Sequence, residues 1–168
     1  MSKPTLQVTS DFTDQFNETV KRFKRDAVLV GIPAEDTERK VPEGESEPIN
    51  NATLLAINNF GSPAGNIPAR PVMEIGIRNA QEQIAEEFKR AAQNALKQGF
   101  AALSIFYNRA GIIASNSIKK AINSQDDIDA PSDATLAARR SAGFKGTKAL
   151  IVTGQMRNSI TYVVKGEE

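Results

Sequence analysis

Any chemistry in this chain must be done without its usual agents, because the 168 residues include no histidine and no cysteine. That removes the imidazole base, the commonest metal ligand, the thiolate nucleophile and every Cys-held cluster. Neither a Ser–His–Asp triad nor a His-containing zinc site can be assembled from the chain alone. Three groups of side chains remain to be weighed. Asp126, Asp127 and Asp129 offer oxygen ligands for a divalent cation, but lack the glycine and terminal glutamate of a calcium loop. Solvated loop acids or capping groups are the simpler reading. Gly143-Phe144-Lys145-Gly146-Thr147-Lys148 has the residue types of a phosphate loop without its G-x-x-x-x-G-K-[ST] spacing. Finally, Arg139, Arg140, Lys145, Lys148 and Arg157 stand in a stretch, 134–157, that holds no acid. Such a segment can touch nucleic acid, yet only Phe144 is interleaved as an aromatic for base stacking. It also has a counterpart in 33–48, which carries six acids, two bases and three prolines. Pairing of the two, within one chain or between subunits, accounts for both segments. Carboxylate or lysine catalysis is left as a formal option that no motif supports, so no enzyme, cofactor or metal site is expected.

The surrounding elements follow from hydrophobic periodicity. Composition is that of an ordinary globular chain, 40% apolar and 24% charged, with 21 Lys+Arg against 20 Asp+Glu. A net charge of +1 implies no bulk attraction to DNA or to an anionic membrane. No apolar window is long enough to span a bilayer, and Met1–Val8 lacks the apolar stretch of a secretory leader, so assembly in a cytoplasm is the expectation. Phe12, Phe16, Val20 and Phe23 form one stripe of a helix over 10–25, with Ser10 as its expected cap. Asp26–Ile32 reads as a buried strand, and 33–48 as a long exposed loop, too charged and proline-rich to bury itself. A short helix over 50–61 is capped by Asn50 and stopped by Gly61. In the proline-rich loop that follows, Arg70 is held extended by Pro71, which predicts a directional contact with a carboxylate or with carbonyls ending a helix. Two long helices are predicted next. Ile77, Ala80, Ile84, Phe88, Ala91 and Ala95 mark the first, over 72–98. Leu103, Phe106, Ala110 and Ile113 mark the second, over 100–123. Residues 124–149 read as irregular around one helical turn at 135–140, and 159–164 as a closing strand. The fold class is therefore α+β: a small, mostly antiparallel sheet packed against two long helices, with extended loops. Residues 1–26 form a helical extension to a domain over 27–168.

Two blocks stand out in this order. One runs Asn58-Asn59-Phe60-Gly61-Ser62 into Ile67-Pro68-Ala69-Arg70-Pro71. The other is Thr153-Gly154-Gln155-Met156-Arg157-Asn158-Ser159-Ile160, and the helix pair lies between them. The arrangement resembles the neck and tail-completion proteins of tailed bacteriophages, the group of lambda Z-type and Mu-type virion morphogenesis proteins, over about 27–164. Val72 stands where that family often has an aromatic, and Ala149–Val152 replace its Pro-Leu-acid lead into Thr-Gly. The resemblance implies a structural virion protein, assembled in the host cytoplasm. It would form a ring in the neck, expected to be a hexamer, that joins the head connector to the tail or completes the tail for head docking. Its implied partners are further copies of itself, a portal-side connector or head-completion protein, and a tail terminator or tail tube protein. DNA would pass through the channel without sequence-specific contact. Phe60, Arg70, Arg139, Arg140 and Arg157, with Glu43 and Glu45 of the acidic segment, are the candidate interface residues. A nucleic-acid-binding accessory protein acting through 134–157 is the alternative.

Overall fold

A computed structural model describes residues 11–36 and 49–166. Its elements in chain order are α1 (Thr13–Arg25), β1 (Ala27–Gly31), α2 (Asn51–Phe60), α3 (Val72–Gln98), α4 (Leu103–Ser124), α5 (Asp133–Ser141), α6 (Gln155–Ser159) and β2 (Thr161–Lys165). The class is α+β. β1 and β2 make a two-stranded antiparallel sheet in which Leu29 faces Val163 and Val30 faces Tyr162. The predicted 159–164 strand begins two residues later than expected, because Ser159 completes α6.

The frame is the antiparallel hairpin of α3 and α4, which turns at Gly99–Ala102. Every third or fourth residue of α3 is small or apolar on one side, and Val72, Ile75, Ala80, Ala91 and Ala95 are buried there. Ile77, which opens the expected stripe, is exposed, one position off the buried one. Ile75 and Gly76 take the core side instead, and a Cβ on Gly76 would lie 2.5 Å from the Ile118 backbone. The sheet docks by the same device: the Tyr162 ring rests on Gly111 of α4, whose missing Cβ would fall 2.2 Å from it. Tyr162 also donates its hydroxyl to Asn108 Oδ1 at 3.0 Å.

Two cores lie along this hairpin. At the α3 N-terminus, Leu55, Val72, Ile118, Ile122, Met156 and Ile160 pack together. At the turn end, Ala91, Ala95, Leu103, Phe106 and Tyr107 receive Phe23 from α1 with Val28 and Val164 from the sheet. Phe23 meets Tyr107 edge-on, with ring centroids 5.9 Å apart.

The expected stripe of α1 is only partly core. Phe23 is inside, whereas Phe12, Phe16 and Val20 are exposed. The expected cap Ser10 lies outside the described residues; Asp11 Oδ1 accepts from the Thr13 amide at 2.9 Å. The expected turn at 135–140 is a nine-residue helix, α5, capped by Ser132, which accepts from Thr135 N at 3.3 Å.

Candidate functional site

Four asparagines and a glutamine place the walls of the candidate site. Asn50 caps α2 by accepting from Thr53 N at 2.8 Å, as its type and position predict. At the other end, buried Asn59 accepts from Met73 N at 3.1 Å and donates to Glu74 Oε1 at 3.2 Å, capping α3 from a neighbouring element. The chain between them must double back. Gly61 makes this possible with φ +77°, and a Cβ there would lie 2.9 Å from Ala69 N. Asn58 then accepts the Arg70 amide at 2.8 Å, and the Val72 amide returns to Arg70 O at 2.7 Å around Pro71. Asn51, at the start of α2, donates to Ser159 Oγ at 3.3 Å and ties α2 to α6.

Gln125 closes the opposite wall. Its backbone takes the left-handed conformation that ends α4. Its side chain accepts from Ala149 N at 2.7 Å and donates to Ala149 O at 3.2 Å, and it also donates to Ile122 O. Leu150 follows with φ +61°, a left-handed backbone uncommon for a branched side chain. Asn59 falls within the first sequence block, but its capping role, like the role of Gln125, is not legible there, since their partners lie far along the chain or on another element.

These walls enclose a cleft of about 520 Å³ lined by Leu54, Asn58, Pro68, Arg70, Arg139 and Leu150, among others. A second cleft of about 180 Å³ shares Leu54, Asn58, Arg139 and Leu150 with it and is completed by Thr153–Met156. Together they form one groove, with Arg139 common to both parts.

Arg70 reaches across with Nε on Asp129 O at 3.0 Å and Nη2 on Ala130 O at 3.4 Å. The directional contact is there, but to loop carbonyls rather than to a carboxylate or a helix end. Arg139 donates Nη1 to Lys148 O at 2.8 Å and to Gly146 O at 3.4 Å. Burial first, and the charge of Arg70 second, hold the Arg139 guanidinium below its ordinary pKa.

The remaining candidates separate. Phe60, 74% exposed, stands beside the groove on a shallow hollow formed with Pro63 and Pro68. Arg157 is not among the lining residues: Nη1 donates to Asn123 Oδ1 at 2.7 Å, and Lys148 Nζ to Asn123 O at 2.6 Å. Both cations thus sit at the carbonyl end of α4, where the helix dipole favours positive charge. Arg140 is exposed on α5. Glu43 and Glu45 lie outside the described residues.

None of the ion pairs among the described residues involves any of the five basic residues of 134–157. Backbone and amide oxygens accept from three of them, which leaves Arg140 and Lys145 as the two whose donors are unengaged among the described residues, while all five keep their charge. The Gly143–Lys148 stretch leaves α5 and enters no following helix, so it lacks the strand–loop–helix setting of a phosphate loop. Among the described residues no group of three or more carboxylates is placed to hold a metal ion. No helix of the described chain is long and apolar enough to cross a membrane.

The groove therefore carries hydrogen-bonding edges, two guanidinium groups and an apolar floor. These are means of recognition. Comparison with family models, curated proteins and solved structures returns no match.

Proposed function

We propose that this chain is a structural protein of a tailed-bacteriophage neck, forming a ring that joins the head connector to the tail or completes the tail for head docking. It binds and does not catalyse. One observation carries the reading: the two sequence blocks behind the resemblance, about 80 residues apart, meet on one groove. Asn58 of the first block lines one cleft with Pro68 and Arg70 and the adjoining cleft with Thr153, Gly154 and Met156 of the second. Both blocks serve there to build a surface, through the Asn59 and Gly61 turn, the Arg70 strut and the Asn51–Ser159 tie.

Copies of the chain, expected in a sixfold ring, would dock a portal-side connector or head-completion protein on one side. A tail terminator or tail tube protein would dock on the other. DNA would pass through without sequence-specific contact. The partial engagement of Arg139, Lys148 and Arg157 by oxygens of their own chain directs donors toward the protein and so weighs against the nucleic-acid alternative.

The test is the size of the purified full chain, by light scattering coupled to gel filtration, alone and mixed with portal-side and tail-tube proteins. A ring, or a defined complex with either partner, is expected. A monomer that joins neither, or a steeply salt-dependent complex with DNA, overturns the reading.

A further inference from the structure

α1 is amphipathic with its polar side turned inward. Gln15 donates to Ala95 O at 2.8 Å, Thr19 is buried, and the Arg22 guanidinium lies 4.5 Å over the Phe100 ring. The stripe that periodicity assigns to a core is bare above Phe23: Phe12 is 59% exposed, Phe16 53%, and Val20 is exposed beside them. A second apolar surface is also bare. On the face of the sheet away from α4, the cross-strand neighbours Leu29 and Val163 are 54% and 43% exposed. Ala27, Gly31 and Thr161 surround them, so the face is shallow and flat enough to receive a helix. Lys165 stands at its edge.

Single exposed apolar residues are ordinary, but two contiguous apolar faces on one small chain mark contact surfaces. The two faces cannot satisfy each other within one chain. Only Asp26 separates α1 from β1, and the Gln15 bond to Ala95 and the stacking on Phe100 hold α1 on the helical side.

We propose that α1 of one copy lays its Phe12–Phe16–Val20 stripe on the Leu29–Val163 face of the next copy. Charge agrees with this pairing, because Asp11 and Asp14 open the helix and Lys165 borders the sheet. Each copy gives one surface and receives another, which is a heterologous contact. It closes into a ring when the rotation fits and otherwise grows a filament. The contact is independent of the neck reading, since it needs only copies of this chain.

The absence of native cysteine makes the test direct. Phe16→Cys and Val163→Cys are prepared as separate full-length proteins, then mixed and oxidised. A disulfide-linked pair is expected from the mixture in clear excess over either protein alone. In sedimentation velocity, Phe16→Ser and Leu29→Ser should each raise the concentration needed for self-association by about tenfold or more, with monomer melting unchanged. The proposal is overturned by a strict monomer, by efficient cross-linking of Phe16→Cys to itself, or by Ser variants that associate like the parent. Loss of this contact with head or tail partners still bound would sink the proposal and leave the neck reading intact.

Discussion

Arg139 and Arg140 are neighbours in sequence with opposite fates in the fold. Arg139 holds the carbonyls of Gly146 and Lys148 and so pins the loop that carries the groove's far wall. Arg140 is exposed and enters no ion pair among the described residues. Arg139→Ala should therefore cost about 1–3 kcal/mol, the range for a charge-assisted bond and its abandoned acceptors. Arg140→Ala should fall within about 0.5 kcal/mol of the parent. Urea midpoints of the two variants decide this; equal midpoints would remove the pinning role. Tyr107 makes a second residue-level case, since its hydroxyl is buried without a hydrogen-bond partner. Burial, then the charge of Asp26, push its pKa above the ordinary 10.0, against the opposing charges of Arg22 and Arg25. The folded state thus prefers the neutral phenol. That preference is fully present below pH 10 and is lost as pH climbs through the raised folded-state value. Tyr107→Phe should flatten the alkaline fall in stability without lowering stability at neutral pH. An unchanged alkaline slope in unfolding experiments would contradict it.

At the scale of elements, α1 shows how a tertiary contact divides a single periodic stripe. Phe23 sits against Tyr107 and completes the turn-end core, while Phe16, seven residues earlier on the same stripe, faces outward. Phe23→Ala should destabilise the monomer by about 3 kcal/mol, whereas Phe16→Ala should change it by no more than about 0.5 kcal/mol. Denaturant unfolding at low protein concentration separates the two. Comparable losses would mean that α1 packs by its apolar stripe after all. The long helices show the complementary effect. Gly76 and Gly111 are where the α3–α4 hairpin and the sheet approach most closely, so bare backbone governs those contacts and a search for large apolar residues passes over them.

For the whole molecule, the five positive charges of 134–157 stay unneutralised, since no ion pair among the described residues involves them, but they differ in how free their donors are. Three of the five cations serve carbonyl and amide oxygens, including those at the end of α4. Arg140 and Lys145 are the cations of the segment whose donors are free for a direct ion pair with an acidic partner surface. Reversing both to Glu should impair assembly with little effect on the monomer, and Glu43→Lys with Glu45→Lys should partly restore it. High salt should weaken the same contact, since the Debye length falls to about 3 Å near 1 M. Assembly assays in low and high salt check this. Normal assembly of the double reversal would exclude the contact without touching the apolar α1–sheet pairing.

By itself the sequence determined the local and the exclusive. Periodicity and caps placed α2, α3, α4 and both strands to within a few residues, because helix and strand spacing and Asn50 act over one or two turns. The absence of histidine and cysteine excluded whole classes of chemistry. The cofactor-free surface reading rests on the same local information. Only the tertiary structure decided which side of α1 is buried, that Ile77 gives way to Gly76, and that 133–141 is a helix. It alone brought Arg70 and Arg139 onto one groove and turned Arg157 and Lys148 to the end of α4. These outcomes depend on contacts between residues tens of positions apart, whose energies enter only when the elements meet. A stripe of phenylalanines or a run of arginines reads the same in sequence whether its partner is a core, a helix end or a second copy.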